Sequence, residues 1–356
     1  MKRLQAAKIG YAGYSPDFSA PGDRRRFCAY AGHRNLAFER ADLSKSYDLV
    51  VVTHNGDVPG WTVRKRNQGD RLKVVFELVD SYLTETDPIR RLSKGIARYG
   101  LGIDSRLCPD FLATLIRAFE TADAVICSTP EQQSEIARYN RNVFVSFDWF
   151  DNELGAPKTD FRRGKKLRIG WEGQAVTAPN LQVIRETLNA LKDQIELHVV
   201  TDPLLHRHFG RFRAYPTIRA FDDFECDVVL HPWVGQSFSQ HITDADLAVI
   251  AIDKSNPLAL GKPDNKLVML WKLGMPVLAT DSPAYSRAMG AAGIDMLCAD
   301  AGEWRRQLER VLAMRPSQLE AIGRQCHGFA NERYSMPAFA SPFDRAFAAA
   351  GLSAEN

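Results

Sequence analysis

Short apolar runs alternate with helical patterns along the whole chain. This alternation is typical of βαβ units, because buried parallel strands are continuously apolar whereas the helices that cover them are apolar on one face. The apolar runs predict eleven strands in two series. They are residues 7–12, 48–54, 72–79, 123–128 and 142–147, followed by residues 167–173, 195–201, 227–233, 246–252, 276–280 and 294–299.

A polar, basic stretch at residues 151–166 separates the two series and is predicted to be an interdomain linker. With 356 residues, the chain is long enough for two domains. The pattern predicts an α/β protein with two doubly wound, Rossmann-like domains, 1–155 and 166–335, facing each other across a cleft. A helix near 338–350 is expected to pack back on the first domain. Such sheets bind ligands beyond the carboxyl ends of their strands, so the site is expected in the cleft.

Composition and charge exclude several classes of protein. Hydrophobic residues make up 45% and charged residues 25%, an ordinary globular balance. A net charge of +3 is too small for a nucleic acid partner. The six cysteines are dispersed, which favours reduced thiols over a disulfide scaffold or metal cluster. The chain has no signal-peptide pattern and no long apolar run, so we expect a cytoplasmic protein with at most peripheral membrane contact.

Common cofactor motifs are missing from the sequence. Gly10 and Gly13 follow the first strand, but Pro16 stands where a dinucleotide fingerprint needs a third glycine. The chain also lacks a P-loop, and its acidic and His/Cys residues do not have the spacing of metal ligands. We therefore expect no cofactor and no metal ion.

The most informative segment is residues 244–281. It reads as a strand, a polar loop, a helix, a Gly-x-Pro turn and a second strand. Asp264 is a suitable N-cap for the helix, and Gly274 is suitable for the position that follows its end. This pattern places a loop and a helix N-terminus at the carboxyl end of a buried strand.

Here the sequence resembles the C-terminal domain of GT-B glycosyltransferases, particularly retaining family 4. In that family the element K-x-x-E-x-x-A-x-G-x-P-V-V holds the nucleotide sugar, and Lys266, Gly274, Pro276 and Val277 fall on matching positions. Residues 167–181 and 303–335 resemble the opening strand with its glycine loop and the closing helices of the same domain. The resemblance implies transfer of a sugar from a nucleotide-sugar donor to a glycan or lipid-linked acceptor, with retention, in polysaccharide or glycoconjugate synthesis.

The resemblance and the chemistry of a diphosphate leaving group together indicate the donor site. A helix N-terminus supplies N–H groups and a favourable dipole, and lysines add positive charge. The expected donor-binding residues are Gly173, Gln174, Lys262, Asp264, Lys266 and Met269.

One departure from the family leaves the function open. Gly261 and Met269 stand where the family has two glutamates, and the second of these usually binds the ribose hydroxyls. Either another carboxylate, such as Asp264 or Asp253, serves the ribose, or the donor differs, or activity is lost. A nucleotide-sugar epimerase of the same fold and a non-catalytic GT-B binding protein are therefore the alternatives.

Candidate acceptor residues lie at strand ends in the first series. His54 and Asp80 follow two of the strands, where a catalytic base would sit, although in a retaining enzyme they need only position the acceptor. Gly13 and Arg24 are candidates for contact with phosphate or an acidic acceptor.

An amphipathic helix is predicted over residues 87–99, with Asp87 as its N-cap. Its apolar stripe and its basic residues have two interpretations: either the stripe packs on the first sheet, or it contacts a membrane whose anionic headgroups attract the cations. A net charge of +4 over residues 1–164, against −1 over the rest, supports the second. The stripe consists of Ile89, Leu92, Ile96 and Tyr99, and the basic residues are Arg90, Arg91, Lys94 and Arg98.

Overall fold

The computed structural model describes residues 2–80, 82–84, 87–207, 212–235, 237–255 and 260–353. The chain divides into two compact units. The first unit comprises Met1–Trp149, Gly261–Pro263 and Tyr334–Asn356, and the second comprises Phe150–Leu260 and Asp264–Arg333.

The described strands and helices alternate along the chain, as the hydrophobic pattern predicts. The strands are β1 (Lys2–Arg3), β2 (Ile9–Ala12), β3 (Phe38–Arg40), β4 (Leu49–Thr53), β5 (Lys73–Glu77), β6 (Ala124–Cys127), β7 (Val143–Val145), β8 (Leu167–Glu172), β9 (Ile195–Thr201), β10 (Leu204–Arg207), β11 (Phe212–Pro216), β12 (Asp227–Pro232), β13 (Leu247–Ile250), β14 (Val277–Thr280), β15 (Leu297–Cys298) and β16 (Leu352–Ser353). The α-helices are α1 (Pro21–Arg24), α2 (Phe27–His33), α3 (Val58–Gln68), α4 (Pro88–Gly100), α5 (Phe111–Thr121), α6 (Pro130–Ile136), α7 (Arg185–Ala190), α8 (Ser237–Thr243), α9 (Asn265–Lys272), α10 (Pro283–Ala292), α11 (Ala301–Ala313), α12 (Pro316–Arg333) and α13 (Met336–Ala349). Short 3-10 helices span Leu4–Ala6, Gly69–Arg71, Tyr82–Thr84, Ala175–Ile184 and Thr217–Phe221.

The first unit contains a parallel six-stranded sheet in the order β3-β2-β4-β5-β6-β7. Its central strands are buried on both faces, which explains their continuous apolar sequence. The chain leaves β2 toward β3 on one side and then continues through β4 on the other. The topological switch point of this sheet therefore lies between β2 and β4.

The second unit contains a parallel six-stranded sheet in the order β12-β9-β8-β13-β14-β15. This is the strand order of a classical dinucleotide-binding fold, with the switch point between β8 and β13. Ligands of such sheets bind outside the carboxyl ends of the strands at this point, so a ligand is expected at the loops that follow β8 and β13.

After the second unit, the chain returns to the first. Helix α13 places three fully buried side chains, Phe339, Phe343 and Phe347, in the core of the first unit. The ring of Tyr30 stacks on Phe343 with centroids 4.8 Å apart. Strand β16 then pairs in parallel with β1.

The two doubly wound sheets are confirmed, and each of the eleven predicted strands is present within a few residues of its predicted bounds. The pattern did not predict β3, a three-residue edge strand with one exposed and two half-buried residues, or the hairpin of β10 and β11. It also did not predict the two-residue strands β1 and β16. Residues 151–166, predicted to be a linker, lie in the second unit. Phe161 is buried there, and the Lys158 N–H donates a hydrogen bond to the Leu273 carbonyl at 2.8 Å.

Candidate functional site

The switch point of the second unit contains a lysine held against the end of β8. The Lys266 ammonium, from the first turn of α9, donates a hydrogen bond to the Glu172 carbonyl at 2.5 Å. It also lies 3.8 Å from the Glu172 carboxylate and 5.0 Å from the centre of the Trp171 ring. The side chain of Lys266 remains 28% exposed. This cation is therefore fixed in position and still reaches the surface.

Gly173 follows β8 directly beneath this lysine. A Cβ atom at position 173 would lie 2.8 Å from the Lys266 Nζ, 2.8 Å from the Trp171 ring and 2.9 Å from the Thr177 hydroxyl. Only glycine lets the backbone and the ammonium approach so closely. The next residue, Gln174, accepts hydrogen bonds at its carbonyl from the Thr177 N–H and hydroxyl, both at 2.8 Å.

A surface pocket adjoins this loop. Gln174 lines it together with Asp202, Leu204 and Leu205, and its volume is about 390 Å³. Asp202 follows β9, so the pocket lies at the carboxyl end of the sheet, next to β8. Gln174 is thus exposed beside a concave surface large enough for part of a small ligand.

Helix α9 has the end that the sequence predicts. Gly274 takes a left-handed conformation with φ at 71°, and its N–H bonds to the Trp271 carbonyl. The N–H of Met275 bonds to the Leu270 carbonyl, which completes a Schellman motif. Asp264 occupies the N-cap position, but none of the described N–H groups in the first turn bonds to its side chain.

Met269 lies on the inner side of α9 and is only 3% exposed. The structure thus places Met269 with the core residues of α9, apart from the partly exposed Lys266.

Two further candidates lie on the polar loop after β13. Lys262 is exposed, and the segment that contains it, Gly261–Pro263, belongs to the first unit. Asp253 is three residues beyond β13 and accepts hydrogen bonds from the Ser255 N–H at 2.9 Å and hydroxyl at 2.7 Å. These bonds lower the pKa of Asp253, which keeps it ionised.

In the first unit, the loop after β2 closes around a buried carboxylate. Asp23 accepts hydrogen bonds from the Tyr14 N–H at 2.7 Å, the Ser15 N–H at 2.9 Å and the Ser15 hydroxyl at 2.7 Å. A Cβ atom on Gly13 would overlap the Asp23 carboxylate. The Arg24 guanidinium donates to the Ser19 carbonyl. Gly13 and Arg24 therefore both have local structural contacts in this loop.

His54 and Asp80 meet at one tyrosine near the switch point of the first unit. The Tyr82 hydroxyl lies 3.2 Å from the His54 Nε2 and 3.5 Å from an Asp80 carboxylate oxygen. The His54 ring also packs against the Tyr14 ring at an interplanar angle of 77°, with centroids 5.1 Å apart. The loops after β2, β4 and β5 thus bring these four side chains together.

The environment of His54 keeps its imidazole neutral. Burial, helped by the positive charges of Lys94 and Arg98, lowers the pKa of His54 to about 3. The ring is 4% exposed, and among the described residues its Nδ1 has no hydrogen-bond partner. An imidazole with such a low pKa is a weak base near neutral pH.

A fully buried ion pair lies at the end of β5. Arg26 donates to the Glu77 carboxylate at 2.6 Å, to the Ser128 hydroxyl at 3.2 Å and to Asp148 at 3.3 Å. Burial raises the pKa of Glu77 to about 6 despite the guanidinium. Arg26 and Glu77 are 51 positions apart in sequence, so no local pattern predicts that they pair. The signal in the sequence is a glutamate at the buried end of β5, directly after three apolar residues.

Within the described ranges, no group of three or more His, Cys, Asp or Glu side chains is placed to hold a metal ion. Likewise, no helix in the described part of the chain is both long and apolar enough to cross a bilayer.

No protein-family model matches the chain, and no curated protein matches its sequence. Solved structures do. Anabaena HepE in complex with UDP and glucose is 12% identical, with a TM-score of 0.63 over 96% of this chain and 99% of that one. Sucrose-phosphate synthase from Thermosynechococcus elongatus is 13% identical, with a TM-score of 0.58 over 90% of this chain and 75% of that one.

TarM, known from S. aureus, is 11% identical, with a TM-score of 0.57 over 83% of this chain. The chain spans about half of TarM, 53% of its length. These neighbours are GT-B glycosyltransferases. The chain has the GT-B fold. Two doubly wound sheets in succession are what a GT-B fold contains. The fold expected from the resemblance at residues 244–281 is therefore confirmed.

Proposed function

We propose that the protein is a glycosyltransferase that moves a sugar from a nucleotide-sugar donor to a glycan or lipid-linked acceptor. The observation that carries the proposal is the partly exposed Lys266 ammonium above Gly173, at the switch point of the second sheet. Ligands of doubly wound sheets bind at this point, and a fixed cation there stabilises the charge of a departing nucleoside diphosphate. HepE, which has the same fold, was solved with UDP and glucose, so UDP is the first nucleotide to test.

The donor phosphates would bind near the N-terminus of α9. Lys266 supplies a charge there, and the helix adds the partial positive charge of its first N–H groups. These groups can take the place of a divalent ion, so we propose that transfer is metal-independent. Lys262 lies on the polar loop between β13 and α9 and would provide a second cation.

The ribose would be bound by a carboxylate other than the family's second glutamate. Met269 replaces that glutamate and is buried. Asp253 follows β13, the strand next to β8, and its hydrogen bonds lower its pKa, so we assign the ribose to Asp253. A ribose hydroxyl can donate to its oxygens.

The acceptor would bind in the first unit, where His54, Asp80 and Tyr82 meet. A neutral His54 with a pKa of about 3 is unsuited to remove a proton from a sugar hydroxyl. We therefore assign His54 and Asp80 to positioning the acceptor. The donor phosphate would then receive the proton, as in the retaining reaction that the resemblance implies.

The test begins with thermal unfolding in the presence of nucleoside diphosphates and nucleotide sugars. A ligand at a hundredfold excess over its Kd stabilises the fold by about 2.7 kcal/mol. The stabilising donor is then incubated with and without glycan acceptors, with and without EDTA, and nucleoside diphosphate release is measured.

The outcomes separate the three functions. A transferase releases nucleoside diphosphate faster when the right acceptor is present, and EDTA leaves the rate unchanged. An epimerase converts the nucleotide sugar without any acceptor. A non-catalytic protein shows no turnover, and loss of turnover in EDTA that Mg²⁺ restores would contradict metal independence.

A further inference from the structure

Helix α4 is docked on the first unit by its basic residues. The Arg98 guanidinium is buried and bonds to the Asp104 carboxylate at 2.7 and 2.8 Å, and to the carbonyls of His54 at 2.9 Å and Gly56 at 2.7 Å. Arg91 pairs with Asp110. These residues hold the helix in place through charge-assisted hydrogen bonds rather than through an apolar face.

Two more features bring α4 close to its neighbours. The Lys94 ammonium lies 3.5 Å from the centre of the Tyr82 ring and 4.2 Å from that of Phe111. Gly95 faces the chain at Cys108, where any Cβ atom would overlap the Cys108 carbonyl oxygen. The inner face of α4 is therefore made of cations and a glycine.

The apolar stripe of α4 consequently points outward. Ile89, Leu92, Ile96 and Tyr99 are between 44% and 74% exposed. The following loop continues the patch with Leu101, Ile103 and Leu107, which are 38% to 55% exposed. Of the thirteen large exposed apolar side chains in the described part of the chain, seven lie between residues 89 and 107. A concentration of this kind marks an interaction surface.

This arrangement excludes one of the two interpretations of the sequence. The stripe does not pack on the first sheet, because that face of the helix is occupied by Arg91, Gly95 and Arg98. Two of the four basic residues expected to meet headgroups, Arg91 and Arg98, are instead paired within the protein.

We propose that this face, Ile89 to Leu107, docks on an anionic bilayer surface, with the apolar side chains entering the boundary between headgroups and acyl chains. Residues 88–103 contain no acidic side chain, and Asp104 is buried in its pair with Arg98. The N-cap Asp87 lies 3.5 Å from the Arg90 guanidinium, whose side chain is still 72% exposed. Arg90 and Arg106 are exposed beside the apolar residues. The surface is thus apolar with a cationic rim, as in helices that lie in the plane of a membrane.

Charge also distinguishes a bilayer from a second copy of the chain. A twofold dimer brings the same patch of both copies together. Arg90 and Arg106 would then face a surface of the same sign, whereas anionic headgroups attract each of them. The surface does not depend on the transfer reaction, so the two proposals can fail separately.

The test is flotation of the full chain with vesicles of phosphatidylglycerol and phosphatidylcholine in equal amounts, compared with vesicles of phosphatidylcholine alone. Replacing one inserted isoleucine should weaken partition about tenfold, so Ile89→Gln with Ile96→Gln should abolish flotation. Arg90→Gln with Arg106→Gln should weaken binding to the anionic vesicles about fivefold for each cation. Partition of this arginine variant into neutral vesicles should not change.

The matched control is Ile218→Gln with Val229→Gln, which changes two exposed apolar residues of the second unit and should float like the wild type. Absence of wild-type flotation would overturn the proposal, and so would equal flotation of the Ile89 and Ile96 variant. Sedimentation equilibrium without vesicles provides a third result. A wild-type dimer that this variant dissociates would assign the face to a second copy instead.

Discussion

Each unit places one cation at the carboxyl end of its sheet, but in opposite environments. Arg26 in the first unit is fully buried and is bonded to Glu77, Ser128 and Asp148. Lys266 in the second unit is 28% exposed, bonds to the Glu172 carbonyl and lies 3.8 Å from the Glu172 carboxylate. A buried charge is tolerated only when the protein pairs it, whereas a partly exposed one keeps some of its hydration. Arg26 is therefore a structural residue, and Lys266 is the cation that a ligand can reach.

The largest expected effect comes from removing the buried cation. Arg26→Met leaves Glu77 ionisable and unpaired in the interior, so we expect the free energy of unfolding to fall by about 3–5 kcal/mol. Urea denaturation followed by tryptophan fluorescence measures this. Arg40→Met, at an exposed arginine of the same unit, should change the free energy of unfolding by no more than about 0.5 kcal/mol. A loss below about 1 kcal/mol for Arg26→Met would contradict the structural role of Arg26.

The second prediction concerns the exposed cation. Lys266→Ala should weaken UDP binding by roughly 1–3 kcal/mol, the range for losing a charge-assisted hydrogen bond. Isothermal titration calorimetry measures the affinity. Lys192→Ala is the control, since Lys192 precedes the amino end of β9 and pairs with Glu225. Unchanged UDP affinity in Lys266→Ala would remove this lysine from the donor site.

The contrast between the two cations also shows what the sequence can predict. Strand periodicity located the eleven main strands because a buried parallel strand is a continuous apolar run, and the Gly274 turn located the end of α9. Arg26 and Lys266 look alike in sequence, since each is a basic residue near the start of a helix. Which of them is buried depends on carboxylates that are distant in sequence, Glu77 and Asp148, and no local pattern reveals them.

Helix α4 also shows what the sequence alone does not predict. Its period of apolar residues was predicted correctly, but the direction of the stripe is fixed by partners elsewhere in the chain. Asp104 and Asp110 hold Arg98 and Arg91 inward, and the carbonyl of Cys108 leaves room only for a glycine. Periodicity describes a helix's two faces, and tertiary contacts decide which one is covered.

The third prediction tests whether the His54 imidazole in the first unit is shielded from water. The pKa of His54 is about 3 in the folded protein and 6.5 in its ordinary state, so His54 contributes stability that is present above pH 6.5 and lost as pH falls toward 3. We expect a loss of about 1.4 kcal/mol per pH unit from this residue below pH 6.5. The slope is measured by urea denaturation at several pH values and compared with that of His54→Asn, which lacks the titrating group. Equal slopes would show that the imidazole is hydrated and its pKa ordinary.

The smallest effect is expected from adding one methyl group beneath the exposed cation. In Gly173→Ala the new Cβ would lie 2.8 Å from the Lys266 Nζ and 2.8 Å from the buried Trp171 ring. The flexible lysine can move away, but the ring or the loop must also shift. We therefore expect UDP affinity to fall by about 1 kcal/mol, roughly fivefold in Kd, and some stability to be lost where the new Cβ meets the Trp171 ring.

Gly13→Ala makes the same change in the first unit, where the new Cβ would overlap the Asp23 carboxylate. Asp23 is fully buried and holds three hydrogen bonds from the loop, so this variant should lose stability and keep its UDP affinity. If Gly173 acts only by admitting Lys266, Gly173→Ala should have no further effect on affinity when Lys266 is already alanine, because the two changes then remove one interaction. Additive losses of UDP affinity in the double variant would mean that the loop at Gly173 contacts the nucleotide independently of Lys266.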